Sequence, residues 1–99
     1  MDLYDVDGPK AEAALVSCLD ARGIRYTLRD CTNQGNLLAS ATLARSVQVW
    51  CLPDGWYVTC VRGSRATFST AHEAVEHARS VLVAWRDDAR KALGEYLAP

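Results

Sequence analysis

The stretch from Ser46 to Phe68 constrains the fold of this 99-residue chain more than any other part of it. Ser46–Leu52 and Trp56–Arg62 are two runs rich in Val, Trp, Tyr and Thr, on either side of Pro53-Asp54-Gly55. Branched and aromatic side chains fit the pleated surface of a sheet. Proline presets φ and glycine accepts a left-handed conformation, so the tripeptide suits a type I turn closed by a glycine bulge. An antiparallel hairpin with a three-residue loop is expected, a two-residue Asp54-Gly55 turn being the alternative. With the longer loop Leu52 faces Trp56, and Cys51 faces Tyr57. Gln48, Trp50, Leu52, Trp56, Val58 and Cys60 then share one face, with Val47, Val49, Cys51, Tyr57, Thr59 and Val61 on the other. Gly63-Ser64 can turn the chain again into a further strand over Arg65–Phe68.

The flanking segments read as helices. Asp7 is a candidate N-cap, Pro9 suits the first turn, and Ala11, Ala14, Leu15, Cys18 and Leu19 recur at helical spacing. Gly23 stands where a left-handed C-cap is wanted. Ile24, Tyr26 and Leu28 alternate with Arg25, Thr27 and Arg29, the pattern of a half-buried strand with a basic outer face. Asn33-Gln34-Gly35-Asn36 is a loop, and residues 37–44 suit either a strand or a short helix capped by Asn36. Thr70-Ala71-His72-Glu73 forms a capping box. It opens a helix with Ala71, Ala74, Val75, Ala78, Leu82, Trp85, Ala89, Ala92 and Leu93 on one stripe. The reading is a single α+β domain over 1–99. An antiparallel β-meander of three to five strands carries an N-terminal helix and a long C-terminal helix packed on one face.

Composition excludes several classes. The chain is 49% hydrophobic and 23% charged, which is globular rather than disordered. No run approaches the ~18 consecutive apolar residues of a membrane span, so no membrane partner is expected. Met1-Asp2-Leu3-Tyr4-Asp5 lacks the apolar core of a secretory signal, so the expected location is cytoplasmic. The cysteines at 18, 31, 51 and 60 show no C-x-x-C pair, and Cys51 and Cys60 mismatch across their turn. Reduced thiols are expected in that compartment.

Little in the sequence points to catalysis. There is no phosphate loop, nucleophile elbow or H-E-x-x-H. His72 and His77 lie about 140° apart on a helix, too far round to share a metal. The His72–Glu76 and Glu73–His77 pairs supply too few ligands for a zinc centre. The cysteines fall mostly at core or strand positions rather than in an exposed electropositive site. A non-enzymatic chain without cofactor or metal is expected.

The net charge is −1, yet it is unevenly spread. Residues 1–20 carry five acids and one lysine; residues 21–65 carry six arginines against Asp30 and Asp54. Arg25, Arg29, Arg62 and Arg65 are candidate contacts, since guanidinium binds phosphate bidentately and stacks on bases. The order helix–strand–strand–strand–helix resembles the double-stranded-RNA-binding domain, which implies an Arg-patch nucleic-acid binder as the second reading. That family opens its last helix with lysines, whereas this chain has Ser69-Thr70-Ala71-His72-Glu73-Ala74 there.

Trp50, Trp56 and Tyr57 lead to the first reading. Tryptophan, tyrosine and arginine dominate binding hot spots. A sheet apolar on both faces needs a cover on the face the helices leave open: residues 37–44, a second copy through the sheet face, or a partner protein. Gly55-Trp56-Tyr57-Val58-Thr59-Cys60-Val61-Arg62-Gly63 followed by Thr67-Phe68-Ser69-Thr70-Ala71-His72-Glu73-Ala74 resembles a hairpin-then-helix pattern of small phage and mobile-element accessory proteins, anti-CRISPR inhibitors among them. The resemblance implies a protein-interaction module, a small phage-type inhibitor that binds a host protein complex. A small accessory subunit of an enzyme is the third reading.

Overall fold

The computed structural model describes residues 8–31, 35–44, 47–60 and 65–97. The expected Asp7 cap, the Gly63-Ser64 turn and Arg62 lie outside the described residues. Helix α1 spans Gly8–Ala21 and buries Ala11, Leu15 and Leu19, while Ala14 is exposed. It ends as Gly23 predicts. Gly23 takes φ 65°, its N–H donates to the Asp20 carbonyl, and the Ile24 N–H donates to the Leu19 carbonyl. These paired bonds satisfy carbonyls that the last turn would otherwise orphan.

Five strands follow: β1 (Thr27–Leu28), β2 (Ala39–Ala44), β3 (Val47–Leu52), β4 (Gly55–Thr59) and β5 (Arg65–Phe68). They pair antiparallel in chain order as one sheet. The segment 37–44 is therefore resolved in favour of a strand over Ala39–Ala44, with Leu37 and Leu38 leading into it. The first strand is shorter than the 24–29 alternation predicts. Thr27 and Leu28 pair with Thr42 and Ala41, and β2 shifts register between Thr42 and Ala44. That irregularity takes the next partner away, so Ile24 and Tyr26 pack on the core without joining the ladder.

The hairpin differs from the expected register by one residue. Leu52 pairs with Gly55, Cys51 with Trp56 and Trp50 with Tyr57, so Pro53-Asp54 is a two-residue turn without a bulge. Gly55 holds φ 154°, and a Cβ there would stand 3.2 Å from the Phe68 carbonyl oxygen of the neighbouring strand. A one-residue slip sends every side chain of a strand to the other face. Val47, Val49, Cys51, Trp56 and Val58 consequently share the buried face with Leu15, Leu19 and Val75. Trp56 does not share a face with Trp50, and Tyr57 takes its place there. The opposite face is correspondingly more polar than expected, with Ser40, Thr42, Gln48, Thr59 and Thr67 at its paired positions.

Helix α2, Ala71–Leu97, packs on β3, β4 and β5, while α1 packs on β2 and beside α2. Both helices lie on the same face of the sheet. The Glu73 N–H donates to Thr70 Oγ1 and the Thr70 hydroxyl donates to Glu73 Oε1, each at 3.2 Å, which caps α2 at its start. Ala71, Ala74, Val75 and Ala78 are buried, and their small size lets the helix lie close against the strands. Beyond Val83 the exposure changes. Residues 84–89 are all exposed, and Trp85, which the stripe predicts to be buried, is 40% accessible. The cause is length, because 27 helical residues span ~40 Å whereas strands of this kind span ~17–20 Å. Thr70→Ala is therefore expected to cost about 1 kcal/mol and Trp85→Ala less than about 0.5 kcal/mol in urea denaturation. A large loss at Trp85 would contradict the overhang.

Arg22 ties the two helices together. Its Nε donates to Glu76 Oε1, one terminal nitrogen donates to the Cys18 carbonyl at 2.9 Å, and the other lies 2.8 Å from His72 Nδ1. The hydrogen bond from Arg22 holds the Glu76 carboxyl below the usual range, against a smaller opposing effect of burial, and the Arg22 charge adds to it.

All four cysteines are free thiols. Burial, reinforced by the charge of Asp54, pushes the Cys51 thiol up to about 11. Thiol titration of the unfolded, unreduced protein is expected to count four groups. In the native protein Cys51 is expected to react slowest, because the thiolate is the reactive species; a count of two, or a fast Cys51, would contradict this. Among the described residues no helix is long and apolar enough to cross a membrane.

Candidate functional site

The helix-free face of the sheet collects most of the residue types that the sequence singles out. Alternation along β3 places Gln48, Trp50 and Leu52 there, and the register adds Tyr57 and Thr59 from β4. Trp50 and Tyr57 are direct cross-strand partners, and their rings stack with centroids 4.7 Å apart and planes 21° from parallel. Such pairs contribute about 0.5–1.5 kcal/mol beyond the area they bury.

Arg65 completes the stack from β5. It pairs with Thr59 and so projects on the same face, diagonal to Tyr57. Its guanidinium carbon lies 4.8 Å from the centroid of Tyr57 and 5.8 Å from that of Trp50. The Tyr57 hydroxyl donates to Asp54 Oδ1 at 2.9 Å, across the turn. That bond raises the Tyr57 hydroxyl above its ordinary range; burial and the Asp54 charge add to it, and Arg65 opposes. The tyrosine is thus gripped on ring and hydroxyl and is only 6% exposed, while Trp50 stays half-buried.

Beside Trp50 lies an open depression of about 340 Å³, lined by Arg29, Leu37, Ser40, Gln48, Trp50, Leu52 and Thr59. Arg29 reaches it from the end of β1, where its N–H donates to the Ser40 carbonyl at 3.0 Å. The structure therefore brings together four of the expected residues: Arg29, Trp50, Tyr57 and Arg65. It separates three. Trp56 is 8% exposed in the core, Arg25 is exposed ahead of β1 and does not line the depression, and Arg62 lies outside the described residues.

Asp54 and Leu37 are additions that sequence reasoning missed. The signal for Asp54 is its spacing of three from Tyr57 across a turn; Leu37 lies in a segment whose conformation the sequence leaves open. The histidines are engaged elsewhere, His72 with Arg22 and His77 against the Phe68 ring at 5.1 Å. Among the described residues no group of three or more His, Cys, Asp or Glu could hold a metal ion.

No family model, no curated protein and no solved structure matches the chain.

Proposed function

We propose, from the geometry alone, that the protein is a non-enzymatic interaction module whose contact surface is the helix-free face of the sheet and whose partner is another protein. The observation that carries this reading is the Trp50–Tyr57–Arg65 stack beside an open depression. Tryptophan, tyrosine and arginine held rigid before binding lose little side-chain freedom when a partner arrives, which favours affinity. On this reading a small inhibitor, phage-type and anti-CRISPR-like, would seat a host protein complex against Trp50.

A nucleic-acid partner is the second reading, and Arg29 and Arg65, which approach Trp50 on one face from opposite edges of the sheet, favour it. Two phosphate contacts imply a log–log salt slope of only about −1.8 on a duplex, a modest electrostatic term. Affinity capture from a lysate of the source organism, with wild-type and Trp50→Ala protein as parallel baits, separates the two. The expected result is a protein retained by the wild type in high salt and lost with Trp50→Ala, because burial of apolar surface is not screened. Recovery of nuclease-sensitive, salt-labile material in its place would favour nucleic acid.

A further inference from the structure

We infer that the helix-free face takes an acidic segment of another protein, anchored by one aliphatic or aromatic side chain in the depression beside Trp50. The inference rests on the protein-binding reading and names the chemistry of its partner. Charge is segregated between the two layers of this fold. The five strands contain no aspartate or glutamate. The carboxylates of the described residues sit on α1 and α2, apart from Asp30 after β1 and Asp54 in the β3–β4 turn. A chain of net charge −1 thus presents one sheet face with two arginines, Arg29 beside the depression and Arg65 near the ring pair, against the single carboxylate of Asp54 at the turn.

Asp54 offsets part of that charge, because a carboxylate that accepts the Tyr57 hydroxyl stays ionised. Among the described residues Arg65 has no carboxylate partner; its guanidinium carbon lies 4.8 Å from the Tyr57 centroid and 5.8 Å from that of Trp50. A guanidinium that makes ring contacts retains its N–H donors, in the fork that fits a carboxylate bidentately. The depression itself is walled by Leu37, Trp50 and Leu52, with Ser40, Gln48 and Thr59 beside them. Its apolar part suits one side chain of the partner, and Arg65 suits a carboxylate close to it in that segment.

The same observations disfavour the other occupants. A second copy applied through this face about a two-fold axis would bring two faces of like net charge together, four arginines against two Asp54 carboxylates. Bases of a single strand need exposed aromatic planes. Here Tyr57 is 6% exposed against Trp50 and Arg65, so it offers no open plane and the half-buried Trp50 is left as the platform.

Selection of short randomised displayed peptides on the full chain, with fluorescence titration of the enriched sequences, tests the inference. Enriched peptides are expected to carry an aromatic or aliphatic residue with at least two aspartates or glutamates close by. They are expected to bind roughly tenfold or more weakly to Trp50→Ala and to Arg65→Gln, the scale of a lost hot-spot contact. Circular dichroism of both variants confirms that they remain folded. Neutral or basic peptides that still depend on Trp50 would overturn the acidic partner and leave the protein-binding reading intact. No enrichment, or peptides indifferent to Trp50, would overturn both. So would oligo-dT or oligo-rU bound more tightly than any peptide, in which case nucleic acid takes the site.

Discussion

Trp56→Ala is expected to cost about 3–5 kcal/mol of folding stability, and Trp50→Ala only about 1–2 kcal/mol. The two tryptophans lie six residues apart on adjacent strands, and sequence gives no reason to rank them. The register does. Trp56 pairs with Cys51 and points into the core with Val58 and Val75, so its removal leaves a large void among neighbours that cannot close it. Trp50 is half-buried on the open face, and its loss forfeits one ring stack and part of its apolar contact. Chemical denaturation followed by circular dichroism measures both. Equal costs would mean that the two rings share a face, as a three-residue loop requires, and would refute the observed register.

Leu15→Ala is expected to cost about 2–5 kcal/mol, in the upper part of that range. Leu15 is fully buried on α1 in a core whose other members are often small: Ala39 and Ala41 from β2, Ala71, Ala74 and Ala78 from α2. Where facing residues are already alanines, the backbones stand close and have little room to settle further into a cavity. A domain of this size has only about 5–15 kcal/mol of stability in all, so the variant approaches the limit of folding at ambient temperature. Glu12→Ala, exposed on the same helix, serves as the control and is expected to stay within about 0.5 kcal/mol. A Leu15→Ala loss below about 1 kcal/mol would mean that α1 is not docked on the sheet.

The helix ends were written in local chemistry and could be read from it. Gly23 and the Thr70–Glu73 box act within a few residues of themselves, so no knowledge of the rest of the fold was needed. The strand-rich centre was equally legible as a meander. What could not be read locally was the hairpin register. Pro53-Asp54-Gly55 favours a bulged loop by a margin below the ~2–3 kcal/mol that full burial of a large aromatic contributes, so placing Trp56 in the core outweighs the turn. Trp85 failed for another reason. Helical periodicity continues along α2 whether or not a sheet lies beneath it, and the sheet ends first. The site was legible as a set of residue types but not as a place, because face assignment hung on that same register. Reading it one residue off put Trp56 rather than Tyr57 on the face of Trp50, the reverse of what the structure places there.

The order in which the strands pair also governs how quickly the chain can find its fold. Every strand of the sheet neighbours the one before it in sequence, so each pairing closes only a short loop of chain. Contacts of short sequence separation form early and at small entropic cost. Docking of α1 beside α2 is different, because Arg22 and Glu76 are 54 residues apart and meet only once both helices lie on a formed sheet. The two helices are thus expected to dock late, over a meander that assembles from its own turns. Weakening their junction is expected to hasten unfolding far more than it slows folding.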